Sequence, residues 1–115
     1  MKNNIILNIE ERNFDRLTFD NKIPVLVLFY AKRCVVCKML YPILEEIAEY
    51  YFRKLKIYSV DVDRYETLAQ RFRLKGIPTV LMFKNGEVVE KIVGFNSKKN
   101  LDNIVKYHLR NDFNV

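Results

Sequence analysis

Cys34 and Cys37 are the only thiols in the 115-residue chain, and two valines separate them in the stretch YAKRCVVCKMLYP, residues 30 to 42. A Cys-x-x-Cys pair serves either a metal or redox chemistry. Structural zinc takes four ligands, drawn from two such pairs or from one pair and two histidines. Here there are two Cys and a single His, His108, which falls in the last predicted helix. An intrachain zinc site is not expected, and no other metal or cofactor is called for. A metal shared between two chains would need a further assumption. Thiols buried inertly in a core are the plain alternative.

The redox reading depends on where the pair falls. The spacing puts it just after an apolar strand, where a helix begins. Residues three apart on a helix have Cβ atoms about 5–6 Å apart, so small adjustments bring the sulfurs within bonding range. Dithiol and disulfide can then interconvert with little backbone movement. At a helix N-terminus the orphan N–H groups and the macrodipole favour the Cys34 thiolate. Arg33 precedes it and Lys38 follows one turn on. One cation at ~6 Å in an effective dielectric of ~40 contributes on the order of 1.4 kcal/mol to that preference. Cys37 lies deeper and should ionise less. The difference assigns Cys34 to attack a disulfide and Cys37 to resolve the mixed disulfide.

The elements that must hold this pair read in the order βαβαβαββα. NIILNI (4–9) is a short Ile-rich strand. NFDRLTFD (13–20) sets Phe14, Leu17 and Phe19 along a helical face. IPVLVLFYA (23–31) is nearly all apolar. That is expected of a strand buried on both faces, with Pro24 at its harmless start. From Cys34 to Phe52 the residues Cys37, Leu40, Tyr41, Leu44, Ile47, Ala48 and Tyr51 recur at helical spacing. Pro42 falls inside this helix and is expected to kink it. LKIYSVDVD (55–63) is a strand and ETLAQRFRL (66–74) a short helix. TVLMFKNGEVVEKIVG (79–94) is a hairpin turning at Asn85-Gly86. Ser97 caps a last helix running to about Arg110. Parallel crossovers followed by a terminal hairpin give an α/β fold with a mixed sheet and helices on both sides.

Composition narrows the remaining classes. A chain of 115 residues makes one domain, 1–115, because two halves would each have too small a core. Hydrophobic residues make up 50% of the chain and aromatic residues 13%. Disorder is therefore not expected. No apolar run approaches the roughly 18 residues of a membrane span, and the N-terminus is not patterned as a signal peptide. The expectation is a cytoplasmic protein that binds no membrane. The net charge of +6 is spread among acids without a basic run, so no nucleic-acid partner is expected.

NFD (13–15), VLVLFYA (25–31), CVVCKMLYPILEEIAEYY (34–51), VDVD (60–63), GIPTVLMFKNGE (76–87) and VG (93–94) together resemble the thioredoxin family over nearly the whole chain. The resemblance implies a three-layer thioredoxin fold, with a central five-stranded mixed sheet flanked by four helices. It implies protein disulfide reduction by reversible Cys34–Cys37 dithiol–disulfide exchange, with Cys34 the nucleophile. Pro78 matches the family's cis-proline facing the active site, next to an Ile77 backbone that can pair with an extended substrate. Spacing alone also allows an ordinary turn proline. Gly94 matches a glycine of the same groove, and spacing alone also allows a strand-end glycine. Arg33, Val35 and Val36 complete the expected substrate-binding face. Lys32, Arg33 and Lys38 would suit acidic partners, or are simply solvated.

Departures from the family pattern concentrate behind Cys37. The usual Trp-Cys-Gly-Pro-Cys-Lys is replaced by Arg-Cys-Val-Val-Cys-Lys. The family's buried Asp aligns with Leu28, and the buried Lys beside it aligns with Ser59. Replacing both members of a buried charge pair can be neutral or stabilising, whereas removing one strands the other. A robust core around Leu28 is therefore expected, with slower deprotonation of Cys37. Two valines also supply an N–H where the family's Pro has none. An extra N–H at the Cys34 sulfur would favour the thiolate and make the disulfide more oxidising. The expected partners are disulfide-containing substrate proteins and a recycling reductase, with the chain a monomer. A disulfide oxidase or isomerase of raised potential, an electron carrier dedicated to one enzyme, and a docking subunit without redox chemistry are the competing functions.

Overall fold

A computed structural model of the chain describes residues 6–111. Five strands form one sheet in the order β1-β3-β2-β4-β5: β1 Leu7–Asn8, β2 Val25–Tyr30, β3 Lys56–Asp61, β4 Thr79–Lys84 and β5 Glu87–Val93. β1 and β2 run parallel to β3, whereas β4 runs antiparallel to both β2 and β5. The helices are α1 Phe14–Leu17, α2 Val35–Tyr50, α3 Glu66–Arg71 and α4 Lys98–Asn111. The expected mixed five-stranded sheet with four helices is what the chain forms.

β2 lies at the centre of the sheet because its side chains are apolar on both faces, and its residues Val25–Phe29 are fully buried. On one face Leu26 and Leu28 pack with Leu40, Leu44 and Ile47 of α2 and with Leu101 and Val105 of α4. On the other, Val25, Val27 and Phe29 pack with Phe14 of α1, Leu68 of α3 and the ring of Phe72. Period-two alternation along one strand thus builds both halves of a three-layer core. On α2 the residues buried are Cys37, Leu40, Leu44, Ile47 and Ala48, with Tyr51 beyond its end, as the helical spacing implies. Pro42 lies inside α2 and withholds one N–H from the helix ladder.

Most differences from the sequence reading are at element ends. The strand expected at 4–9 is a pair of residues, Leu7–Asn8, and residues 4 and 5 lie outside the described residues. The helix expected over 13–20 is a turn of 3-10 helix at Glu11–Asn13 followed by one α turn. It stops where a side chain, not a backbone N–H, takes the carbonyl of its last residue. The Thr18 hydroxyl and N–H both donate to the Phe14 carbonyl, at 2.8 and 3.0 Å, while the Asn21 side chain takes that of Leu17. α2 and α3 end earlier than periodicity suggests. Arg53 and Arg73 adopt φ of 72° and 53°, turning the chain out of the helix. Asn85 and Gly86 take φ of 53 and 78°. This is the mirror-image turn that an Asn-Gly hairpin uses. Ser97 does cap α4, its Oγ accepting from the Asn100 N–H at 3.1 Å.

Candidate active site

The central strand β2 ends at Tyr30, and α2 begins after a turn of four residues. Cys34 is not the first helical residue. It is the N-cap, with φ −89° and ψ 108°, and its Sγ accepts a hydrogen bond from the Cys37 N–H at 3.1 Å. This is the position that Ser, Thr or Asp fills in most helices, where a side-chain acceptor meets an orphan N–H. The thiol sulfur therefore sits where the helix backbone offers a donor and the positive end of its dipole.

Cys34 and Cys37 form a disulfide, with Cα atoms 5.3 Å apart. Cys34 is half-buried, whereas Cys37 is only 3% exposed. The sequence assigned the two cysteines unequal environments, and the structure places them so. It does not bear out the source of the extra N–H. The group that reaches Cys34 Sγ belongs to Cys37 itself, and a Gly-Pro filling would supply that group equally.

The other predicted residues fall around this pair in varying degrees. Val35 and Val36 are 67% and 39% exposed on the first turn of α2. The Ile77-Pro78 bond is cis. Pro78 is buried, and its carbonyl accepts from the Gly94 N–H at 2.8 Å, so these two residues are joined directly. Gly94 has φ 79°, and a Cβ there would meet nothing within 4 Å. Backbone conformation rather than crowding therefore requires glycine. Arg33 turns its guanidinium to Asp63 at 3.0 Å, and both side chains are more than half exposed. Such a pair contributes little stability.

Leu28 and Ser59 are cross-strand partners in the β2–β3 register, 1% and 2% exposed. Ser59 Oγ donates to Asn8 Oδ1 at 2.6 Å, and Tyr30 Oη donates to the same oxygen at 3.0 Å. The polar groups behind the disulfide thus satisfy each other without a charge. Asn8 carries no signal in the sequence, because only the β1–β3 register, Asn8 against Ser59, brings it there.

A cavity of about 290 Å³ lies beside Cys37. Its buried side is Leu28, Ala31 and Cys37, and its exposed side is Lys32 and Lys38, with the half-buried Tyr30 and Tyr41 between them. Burial raises the pKa of Tyr30 against the lowering effect of its Asn8 hydrogen bond, with Asp61 adding to the rise. Burial also raises that of Tyr41, and Glu45 and Tyr30 reinforce it. Both phenols stay protonated at neutral pH. Among the described residues no group of His, Cys, Asp and Glu is placed to hold a metal ion. His108 instead meets Glu90 at 2.7 Å, from the last turn of α4.

A buried thiol under a capping thiol, at the junction of a central strand and a helix, defines a dithiol–disulfide redox centre. The model of the Thioredoxin family matches residues 5–107. The chain is 40% identical over 104 residues to a thioredoxin of Staphylococcus haemolyticus, covering 90% of this chain and 98% of that one. It is 36% identical over 104 residues to a thioredoxin of Haemophilus influenzae, covering 90% and 97%. It is also 38% identical over 96 residues to the chloroplastic thioredoxin M5 of Oryza sativa subsp. japonica, covering 84% of this chain but 56% of that longer one. The chain belongs to the thioredoxin family.

Proposed function

We propose that this protein is a disulfide reductase and electron carrier whose working parts are Cys34 and Cys37. The observation that carries the reading is the capping geometry: the half-buried Cys34 Sγ receives a helix N–H at 3.1 Å, and the second thiol lies buried beneath it. In the reduced protein the same N–H, with the helix dipole behind it, favours the Cys34 thiolate over the Cys37 thiolate.

Cys34 attacks one sulfur of a substrate disulfide, forms a mixed disulfide and releases the other substrate sulfur as thiolate. Cys37 then loses its proton and attacks Cys34 Sγ. The intrachain disulfide forms, the second substrate sulfur leaves as thiolate and is then protonated, and two electrons have passed from protein to substrate. The disulfide between Cys34 and Cys37 is the end of that sequence. A recycling reductase returns the electrons.

Val35, Val36, Ile77, Pro78 and Gly94 form the face that holds the substrate polypeptide, with Arg33 at its border. The exposed valines offer apolar contact on the helix turn. The Ile77 backbone, at the cis peptide bond, would offer hydrogen bonds of the strand-addition kind. The chain acts as a monomer in the cytoplasm, where thiols are kept reduced and a reductant can be regenerated. No helix among the described residues is long and apolar enough to cross a membrane.

The test is reduction of insulin disulfides with dithiothreitol as electron source. Wild type should accelerate it, Cys34→Ser should be inactive, and Cys37→Ser should accumulate a mixed disulfide. A Cys34→Ser variant with full activity refutes the reading.

A further inference from the structure

The resolving step needs a proton acceptor for a thiol that is 3% exposed. The cavity beside that thiol has none of its own: its lining contains no carboxylate and no histidine, and its phenols are protonated. Yet the cavity is open, and its volume is about 290 Å³. That is just below the roughly 300–1,000 Å³ typical of sites for whole small-molecule ligands. It has a carbon-lined interior at Leu28 and Ala31. Lys32 and Lys38 line its exposed side, and neither is in an ion pair among the described residues. Apolar walls with two uncommitted ammonium groups fit a carboxylate on a short apolar stem. A neutral amide of the same shape would gain less from the lysines, and a protonated amine would be repelled by them.

We infer that this cavity receives a carboxylate carried by the substrate protein, and that this carboxylate takes the proton from Cys37. The inference rests on the reductase reading above. The carboxylate oxygen accepts the Cys37 Sγ proton, the thiolate attacks Cys34 Sγ, and the substrate thiolate leaves and is protonated in turn by the carboxylic acid or by water. No electrons beyond the two already in transit are involved. Delivery by the substrate is favoured over a free acid because the mixed disulfide tethers the substrate beside the cavity. A tethered group acts at an effective concentration of roughly millimolar for short flexible links. A protein working this way reduces disulfides flanked by acidic residues in preference to neutral ones.

The experiment uses two disulfide-bridged peptides that differ only in Glu or Gln beside the cysteine. Single-turnover rates are measured with the reduced protein at neutral pH, over a range of peptide in excess. The plateau rate reports resolution, and the half-saturating concentration reports binding and first attack. The Glu peptide is expected to have a plateau on the order of tenfold higher, a part of the ~10²–10⁴ that positioned proton transfer can supply. Sodium isobutyrate should raise the plateau of the Gln peptide saturably, whereas isobutyramide at equal ionic strength should not. In Leu28→Asp, which carries its own acid at the cavity wall, both effects should collapse.

Equal plateaus for the two peptides overturn the inference, and if isobutyrate still acts, the occupant is a free acid instead. A silent isobutyrate places the Glu effect outside the cavity and overturns it too. An isobutyramide effect equal to that of isobutyrate means space-filling rather than proton transfer. A Glu advantage that persists undiminished in Leu28→Asp also overturns it, and if that variant does not fold, the wild-type arms decide alone. Failure to reduce either peptide at all refutes the underlying reductase reading rather than this step.

Discussion

Replacing Leu28 by Asp probes both the core and the chemistry, and its two effects have opposite signs. Leu28 is 1% exposed, between Leu40 of α2 and its cross-strand neighbour Ser59. Removing its side chain from the core forfeits about 2–3 kcal/mol of apolar burial. The new carboxyl would sit at the wall of the Cys37 cavity. Full enclosure raises a carboxyl pKa by up to about 3–5 units. The cavity admits water beside it, so a rise of about 2–3 units is expected, to roughly 6–7. A folded pKa above the unfolded one means the folded state holds the proton longer. Stability then falls as pH rises from about 4 to that folded value, and levels off above it. The penalty from ionisation reaches about 3–4 kcal/mol at neutral pH and vanishes below about pH 4. Urea unfolding at both pH values should therefore show a loss of about 2–3 kcal/mol in acid and about 5–7 kcal/mol at neutrality. The same raised pKa makes the group a base matched to neutral pH, so turnover of a neutral model disulfide should rise on the order of tenfold while stability falls. An equal loss at both pH values would show that the site is already as wet as bulk solvent. Turnover that does not rise near neutral pH would refute the claim that Cys37 lacks a base.

Val36→Pro removes one N–H from the first turn of α2 but keeps the Cys37 donor to Cys34 Sγ, so the potential should be unchanged. Equilibration with glutathione at defined ratios checks this, and a pair more reducing by about 30 mV would restore a role for the valine N–H. Asp102 accepts hydrogen bonds from Tyr51 and Lys106, which hold its pKa below the usual carboxylate value despite partial burial. A lowered folded pKa gives stability that is present above about pH 4 and lost as pH falls through the folded value. Asp102→Asn should therefore cost about 1–2 kcal/mol at neutral pH, with the gap from wild type closing in acid, as thermal unfolding across pH would show. At Gly86 φ is 78°, and a Cβ would meet nothing closer than the Phe19 carbonyl oxygen at 4.0 Å. Gly86→Ala should therefore cost about 1 kcal/mol, from backbone conformation alone. Denaturant unfolding checks this, and a loss of several kcal/mol would point to a clash instead of backbone strain.

Local signals carried much of the fold. Asn85-Gly86 specifies its turn because few other dipeptides tolerate positive φ at both positions. Ser97 offers a cap where the helical pattern of α4 begins. The unbroken apolar run over 25–29 means a strand covered on both faces, and so a central one. The Cys-x-x-Cys spacing joined to that strand and to the periodicity of 37–51 was enough to read a redox pair, since neither zinc nor an inert core thiol requires a strand-to-helix junction. Ends of elements were less legible. Arg53 and Arg73 stop their helices through backbone conformations that arginine does not announce. α1 ends where the Asn21 side chain takes the Leu17 carbonyl, a contact that exists only in the folded turn.

What lies behind the disulfide depended on pairing that no local pattern encodes. Leu28 and Ser59 were visible as departures from the family, but the parallel register sets them side by side and brings in Asn8 from the edge strand to satisfy Ser59 and Tyr30. The cavity is assembled from the end of β2, the turn after it and the first two turns of α2, so its size and its two lysines exist only once those segments are packed. The donor to Cys34 Sγ likewise came from the cap geometry, not from the valines. Residue types and spacing suffice for the identity of the redox pair because its parts are neighbours in the chain. Its surroundings had to await the fold, because they are contributed by β1, β2, β3 and α2, which only long-range packing brings together.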